Sequence, residues 1–263
     1  MPARVSGESF SGQQLMIDKE WLRKKYVDER LSTYQIAKLC GTTPSVIKGQ
    51  MRRHNIPYRS HSEAVHIARA NHCNLSQEAI EWINGELLGD GCLTGRSPYS
   101  ASFACGSKYI EYIEYVRDTL KSFGIEQIGK INKYYHKDLN CYSYRYCSRA
   151  YPELSIIRKQ WYPEGKKIIP KDIKLTSLTL RQHYIGDGCL HKSEDSNPDI
   201  QLCTCGFSIF DVDWFIKQLI GLGFKATRWL SNNSIHISAY STKEFLKYIG
   251  KSPVKCYEYK FDY

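Results

Sequence analysis

Two aspartates in this chain stand in identical surroundings. Asp90 and Asp187 each occupy the string Gly-Asp-Gly-Cys-Leu, and they lie 97 residues apart. Each string closes a stretch with helical character. In 80–93, Ile83, Leu87 and Leu88 recur at helical spacing; 178–190, reading LTLRQHYIGDGCL, ends in the same way. Both acids are therefore expected at helix C-termini, with Gly91 taking the left-handed conformation that ends a helix. That end of a helix carries partial negative charge, so a carboxylate there costs ~0.3–1 kcal/mol. A divalent cation would reverse the sign, because carboxylates and free carbonyls are both hard oxygen ligands. The alternative is a plain helix end with an acid in the following turn.

The elements that must position these acids also repeat. Cys105-Gly106 answers Cys205-Gly206, Leu120 with Gly124 answers Leu219 with Gly223, and Leu154 answers Leu246 across a shorter loop. A repeat near 100 residues is too long for a solenoid unit and suits two pseudo-symmetric lobes. After the first motif helix, 92–96 and 100–105 read as a hairpin around Ser97-Pro98. An amphipathic helix (109–123), an alternating strand pair (128–137 and 141–149) and a closing helix (151–161) follow. The order ββαββα recurs after Asp187. The expected class is α+β: two αββαββα lobes, at 76–172 and 173–263, each with a four-stranded antiparallel sheet.

INGELLGDG (83–91) and LRQHYIGDG (180–188) resemble the two motifs of a single-chain LAGLIDADG homing endonuclease. The resemblance covers roughly Leu75 to the C-terminus, and PVKCYEYKF (253–261) is similar to the tail of many such proteins. Glu86 and Leu88 depart from the first motif; Arg181, Gln182 and His183 depart from the second. The resemblance implies saddle-shaped sheets and motif helices packed at a pseudo-twofold axis, with Gly85 and Gly89 permitting close approach. It implies Asp90 and Asp187 as catalytic, metal-binding acids above a minor groove, with the Gly89 and Gly186 carbonyls as further ligands. The implied cofactor is Mg²⁺, with Mn²⁺ as a substitute. Two carboxylates alone would repel each other and raise one pKa, a conflict that bound metal relieves. The metal would also activate water and stabilise the leaving oxygen. The implied partner is double-stranded DNA with a long asymmetric target site, cut with a stagger by a monomer. Lys108, just past the second strand, is the candidate to stabilise charge or orient water, and the second lobe has no basic residue at the matching place. The same scaffold also implies a non-cleaving alternative, a DNA-binding transcription regulator or an RNA-intron maturase. The presence of both acids favours the enzyme.

Composition agrees with a polyanionic partner: the formal net charge is +10 and the pI near 9.0. Hydrophobic residues make up 42% of the chain, enough for a core. No apolar run is long enough to span a bilayer, and the first fifteen residues lack a signal-like core. The expected setting is cytoplasmic (nucleoid-associated, in a prokaryote or phage) or organellar, and not secreted. The ten cysteines form no CxxC pair and are expected as reduced thiols.

Ahead of the lobes, residues 1–16 are expected as a disordered tail and 17–60 as three short helices. Asp18 opens the first, Ser32 caps the second with Gly41 ending it, and Pro44 sits in the first turn of the third. This order is a helix-turn-helix, with Ile36, Ala37, Val46, Ile47 and Met51 as its core. Thr43, Ser45, Lys48, Gln50, Arg52 and Arg53 would face outward, a mix suited to phosphates and base edges. A protein-interaction module would have the same pattern. Residues 61–75 read as a linker whose histidines, His61, His66 and His72, match no zinc spacing. In the lobes, Lys130, Asn132, Tyr134 and His136 share one strand face. With Arg145, Arg149, Arg228 and His236 they complete the candidate DNA-contacting set; a solvated sheet face is the alternative for any one of them.

Overall fold

The computed structural model describes residues 16–61, 63–65, 71–138, 140–193 and 196–263. The expected tail (apart from Met16) and His66 lie outside the described residues. The chain divides into two compact units, 1–69 and 70–263.

The first unit contains α1 (Lys19–Arg23, continued by a π-helical turn, Lys24–Asp28), α2 (Thr33–Leu39) and α3 (Pro44–Arg53). Asp18 accepts from Trp21 N at the start of α1. Ser32 and Gln35 form a reciprocal capping box on α2. Gly41, at φ +61°, turns the chain toward α3. Leu22, Tyr26, Ile36, Ala37, Ile47 and Met51 pack between the helices. The phase of α3 differs from expectation. Val46 is 37% exposed, whereas Gln50 is 4% exposed. The buried stripe is Ile47, Gln50 and Met51, spaced i, i+3, i+4, so Gln50 turns inward rather than outward.

The second unit holds both lobes. The first runs α4 (Gln77–Leu88), β1 (Cys92–Ser97), β2 (Ser100–Ser107), α5 (Ile110–Ser122), β3 (Asn132–His136), β4 (Cys141–Cys147) and α6 (Pro152–Trp161). The second runs α7 (Ser177–Asp187), β5 (Gly188–Ser193), β6 (Ser196–Leu202), α8 (Ile209–Gly221), β7 (Ala226–Trp229), β8 (Ser234–Ile237) and α9 (Ala239–Ile249). A 3₁₀ segment, Lys255–Lys260, follows. Each lobe has one antiparallel sheet, in the orders β1-β2-β4-β3 and β5-β6-β8-β7. The α+β, two-lobe architecture is the one the repeat implied.

Strand register fixes the equivalences between lobes. Cys92 pairs with Ala104, and Cys189 with Gln201. Cys105 in β2 therefore answers Leu202 in β6. Cys205 lies beyond the end of β6, so the sequence match of Cys105-Gly106 to Cys205-Gly206 is not a structural one. Gly124 and Gly223 do correspond: each follows its helix with positive φ, +78° and +94°. Alternation sends Phe103, Cys105 and Tyr146, and likewise Ile200, Leu202, Ile235 and Ile237, into the core. The opposite face of each sheet is left outside that core.

Candidate active site

The two motif helices meet along one line. Ser76 accepts from Ala79 N at 3.1 Å and Thr176 from Thr179 N at 3.2 Å, so both helices start on a side-chain cap. Thr179 Oγ1 then donates across the interface to the Glu81 carbonyl at 3.1 Å. Gly85 sits against α7 so closely that a Cβ there would meet the Thr179 carbonyl oxygen at 2.5 Å and Gln182 Cβ at 2.7 Å. Only glycine fits at that crossing.

The departures from the motif compensate one another. Glu86 and Gln182 are buried, at 2% and 1% exposure. Tyr112 donates to Glu86 Oε1 at 2.5 Å. In the amide orientation that satisfies both its ends, Gln182 donates to Glu86 Oε1 at 3.1 Å and accepts from Tyr115 and Trp82 at 3.0 and 3.2 Å. Burial pushes the Glu86 carboxyl up to about 8, the hydrogen bond from Tyr112 and the charge of Lys167 notwithstanding. His183 is also fully buried, and burial pushes its imidazole down to about 4.

The helices end together. A methyl group on Gly186 would lie 3.3 Å from Asp90 N and 3.7 Å from Asp90 Oδ2; one on Gly89 would lie 3.7 Å from Asp187 N. The acids thus share one place. Asp90 is open to solvent and Asp187 half-buried, yet both are ringed by protein closely enough to raise their pKa values. Desolvation comes first for each; for Asp187 the charge of Asp90 adds to it, and that carboxyl rises to about 6. Gly91 does not take the expected left-handed conformation, and its φ is not positive. Glycine is required there by close approach, since a Cβ would meet the Glu86 carbonyl oxygen at 2.7 Å.

Two lysines complete the site. Lys167 follows α6, and Lys260 closes the 3₁₀ segment after α9, the same place in each lobe. Lys167 Nζ donates to the carbonyls of Gly89 and Gly91 at 3.3 and 3.1 Å. Lys260 Nζ donates to those of Ile185 and Gly186 at 2.7 and 3.3 Å. Each satisfies the open carbonyls of one helix end and opposes its partial negative charge. Both act on both acids, lowering their pKa values, while burial lowers those of the lysines. Sequence reasoning missed the pair. The available signal was a lysine at a similar distance past each acid, 77 and 73 residues, the second within the quoted tail.

The other candidates fall in different places. Lys108 is exposed and lies over the Tyr109 ring at 5.0 Å; its charge bears on Lys260 and Tyr259. Asn132, Tyr134 and His136 pair with Arg145, Ser143 and Cys141 on the open face of the first sheet, and Lys130 is exposed just ahead of them. Arg149 lies past β4 and ion-pairs with Glu126 at 3.4 Å. His236 is on the open face of the second sheet. Arg228 is not: it pairs with core residue Ile235 and reaches Asp213 on α8 at 3.0 Å, so strand parity turns it to the helix side and removes it from the DNA-contacting set. In the first unit, Thr43, Ser45, Lys48, Arg52 and Arg53 are exposed. Arg52 donates to Tyr58 OH at 3.0 Å, which donates to the Lys48 carbonyl at 2.8 Å.

Among the described residues no group of three or more His, Cys, Asp or Glu side chains is arranged to hold a metal ion. The acid pair fits only an ion that takes its other ligands from carbonyls, water or phosphate, as a hard cation does. The Gly89 and Gly186 carbonyls each accept from a lysine and keep a second lone pair. Among the described residues no helix is long and apolar enough to cross a membrane.

This fold has known counterparts. The homing endonuclease I-WcaI, solved bound to its DNA recognition sequence, superposes with a TM-score of 0.64 over 78% of this chain and 94% of its own, at 19% identity. An uncharacterized protein of Methanocaldococcus jannaschii, MJ1098, is 27% identical over 257 residues, spanning 89% of this chain and 94% of its own. Residues 80–245, well over half of the chain and spanning both acids, match the LAGLIDADG DNA endonuclease family, and the chain belongs to that family.

Proposed function

We propose that this chain is a site-specific double-stranded DNA endonuclease that works as a monomer. It makes a Mg²⁺-dependent staggered cut across a minor groove within a long asymmetric site. The observation that carries the reading is the convergence of Asp90 and Asp187 at one helix crossing, each helix end backed by its own lysine. Mg²⁺ bound by these acids, with Mn²⁺ as a substitute and the Gly89 and Gly186 carbonyls as further ligands, would polarise the scissile phosphates and supply an activated water. The acids would hold that charge in place: burial raises both of their pKa values, the charge of Asp90 adds to the rise at Asp187, and a bound cation would oppose both effects. Lys167 and Lys260 fix the helix ends and keep positive charge beside the acids, where it opposes the charge developing on the phosphates. The open sheet faces, with Lys130, Asn132, Tyr134, His136 and Arg145 in the first lobe, lie along the duplex. Ser45, Lys48 and Arg53 on α3 extend the contact beyond the cut.

The test is selection of cleaved duplexes from a random library with Mg²⁺, followed by substitution of the acids. Asp90→Asn and Asp187→Asn are each expected to abolish double-strand cleavage of the selected site while leaving binding largely intact. Full cleavage by the double variant would remove the acids from the mechanism. Selection of duplexes that are bound but never cut by the parent would favour the non-cleaving regulator or maturase.

A further inference from the structure

The second sheet ends in a pair of thiols beside the acids. Strand β6 stops at Leu202, and the chain continues through Cys203, Thr204 and Cys205. Thr204 is buried, as Leu202 is, so the two cysteines share the opposite, open side. Residues two apart on a regular strand stand roughly 6.6 Å apart. Here the strand has ended, and Cys203 Sγ lies 3.4 Å from Cys205 Sγ. Both are free thiols; Cys205 is exposed and Cys203 half-buried.

The pair is tied to the site at both ends. Cys203 N donates to the Asp187 carbonyl at 2.8 Å. Just downstream, Lys167 Nζ lies over the Phe207 ring at 5.7 Å. The stretch between is anchored to the turn after β7. Thr204 Oγ1 donates to the Asn233 carbonyl at 2.6 Å, and Asn233 Nδ2 donates to that of Phe207 at 3.0 Å. With 204–207 held in this way, Cys203 is the end free to give, and Cys203 is bonded to Asp187. The first lobe has no such pair. Cys92 pairs with Ala104 as Cys189 pairs with Gln201, so Gly106 and Lys108 stand where the second lobe has Cys203 and Cys205.

We infer that Cys203 and Cys205 form a redox-modification site: exchange with a low-molecular-weight disulfide, such as oxidised glutathione, joins them, and the new bond slows cleavage by displacing Asp187. The exposed Cys205 sulfur attacks the incoming S–S bond, and one glutathione leaves as a thiol with the Cys205 proton. Cys203 then attacks the Cys205 sulfur of the mixed disulfide, and the second glutathione leaves with the Cys203 proton. Two protein thiols are oxidised and one glutathione disulfide is reduced to two thiols. Bond formation draws the sulfurs together by roughly 1.4 Å and closes a small ring through Thr204. The slower cleavage rests on the endonuclease reading above; formation of the bond does not.

The experiment uses the full chain, reduced or treated with excess glutathione disulfide. Peptide mapping of the treated chain is expected to find Cys203 joined to Cys205. The amide of Cys203 should exchange its hydrogen faster there, as its bond to Asp187 loosens. On the duplex selected with Mg²⁺, the oxidised chain should cut roughly tenfold or more slowly than the reduced one, and dithiothreitol should restore the rate. Binding of that duplex in EDTA should stay within about threefold. Cys203→Ser/Cys205→Ser keeps Cys189 and the other thiols, and should cut equally fast with and without glutathione disulfide. If that variant fails to fold, Cys205→Ala, which removes only the exposed sulfur, takes its place. Absence of the Cys203–Cys205 bond, unchanged amide exchange or cleavage in the bonded chain, or equal slowing in the variant overturns the inference. A loss of binding as large as the loss of cleavage also overturns it. Failure of the reduced parent to cut any duplex overturns the endonuclease reading instead, and the peptide map and amide exchange still decide the thiol site.

Discussion

A positive charge beside a phosphate is useful only if it is held where negative charge develops. Lys167 and Lys260 meet that condition. Each is tied to carbonyls at a motif helix end, and each acts on both acids. Lys108 is held by an aromatic ring instead, on an exposed loop. The lysines at the acids are present in both lobes, so each strand has a held positive charge of this kind. Lys167→Met and Lys260→Met are each expected to slow cleavage roughly tenfold or more, because loss of ~1.4 kcal/mol of charge stabilisation is tenfold in rate. Lys108→Met is expected to leave both strands within about threefold of the parent, well under that ~1.4 kcal/mol. A single-turnover time course on a duplex labelled differently on each strand measures all three. A larger effect at Lys108 than at Lys167 would reverse the assignment. The lysines were hidden in the sequence because they reach back from the far end of each lobe, and only the folded chain brings them to the acids.

The helix pair is set by steric fit and by one buried polar network. Gly85→Ala would press a methyl group into the Thr179 backbone and is expected to cost roughly 1–3 kcal/mol, the usual range for overpacking. Glu86 adds a dependence on pH. Its folded-state pKa, about 8, lies above the value near 4.5 of a free carboxyl. The folded chain therefore holds a proton that the unfolded chain releases, and stability from this group falls as pH rises between those values. Glu86→Gln keeps the shape and removes the titration. Relative to the parent, it is expected to gain roughly 1.4 kcal/mol per pH unit across the middle of that window. Denaturant unfolding at pH 5, 6.5 and 8 checks this; a difference independent of pH would mean that Glu86 is ionised in the fold. Local features of these elements were legible in the sequence: the caps at Ser32 and Ser76, and the glycines at 85 and 89, depend on neighbours a few residues away. The phase of α3 was not, because Val46 and Ile47 are adjacent apolar residues and packing alone decides which one is buried. Nor was the partnership of Glu86 with Gln182, which exists only once the helices cross.

At the scale of the whole chain, +10 of net charge is distributed over two units with separate cores. The larger unit contains both acids, both lysines and both sheets, so catalysis should not need the smaller one. The smaller unit presents Thr43, Ser45, Lys48 and Arg53 on or beside α3, with Arg52 braced by Tyr58. That surface distinguishes its two readings by salt. A nucleic-acid contact releases condensed counterions, and each phosphate contact contributes roughly 0.9 to the slope of log affinity against log salt. A protein-interaction surface contributes nothing to that slope. A chain beginning at Asn71 is expected to cut the selected site still, with a footprint shortened at one end. Its binding should be weaker, with a slope shallower by roughly 2–3 if two or three cations of the small unit meet phosphates. Lys48→Ala/Arg53→Ala in the full chain should reproduce most of that loss of slope. Footprinting and affinity measured from 50 to 300 mM KCl decide it. An unchanged footprint and an unchanged slope in both proteins would assign the small unit to a protein partner.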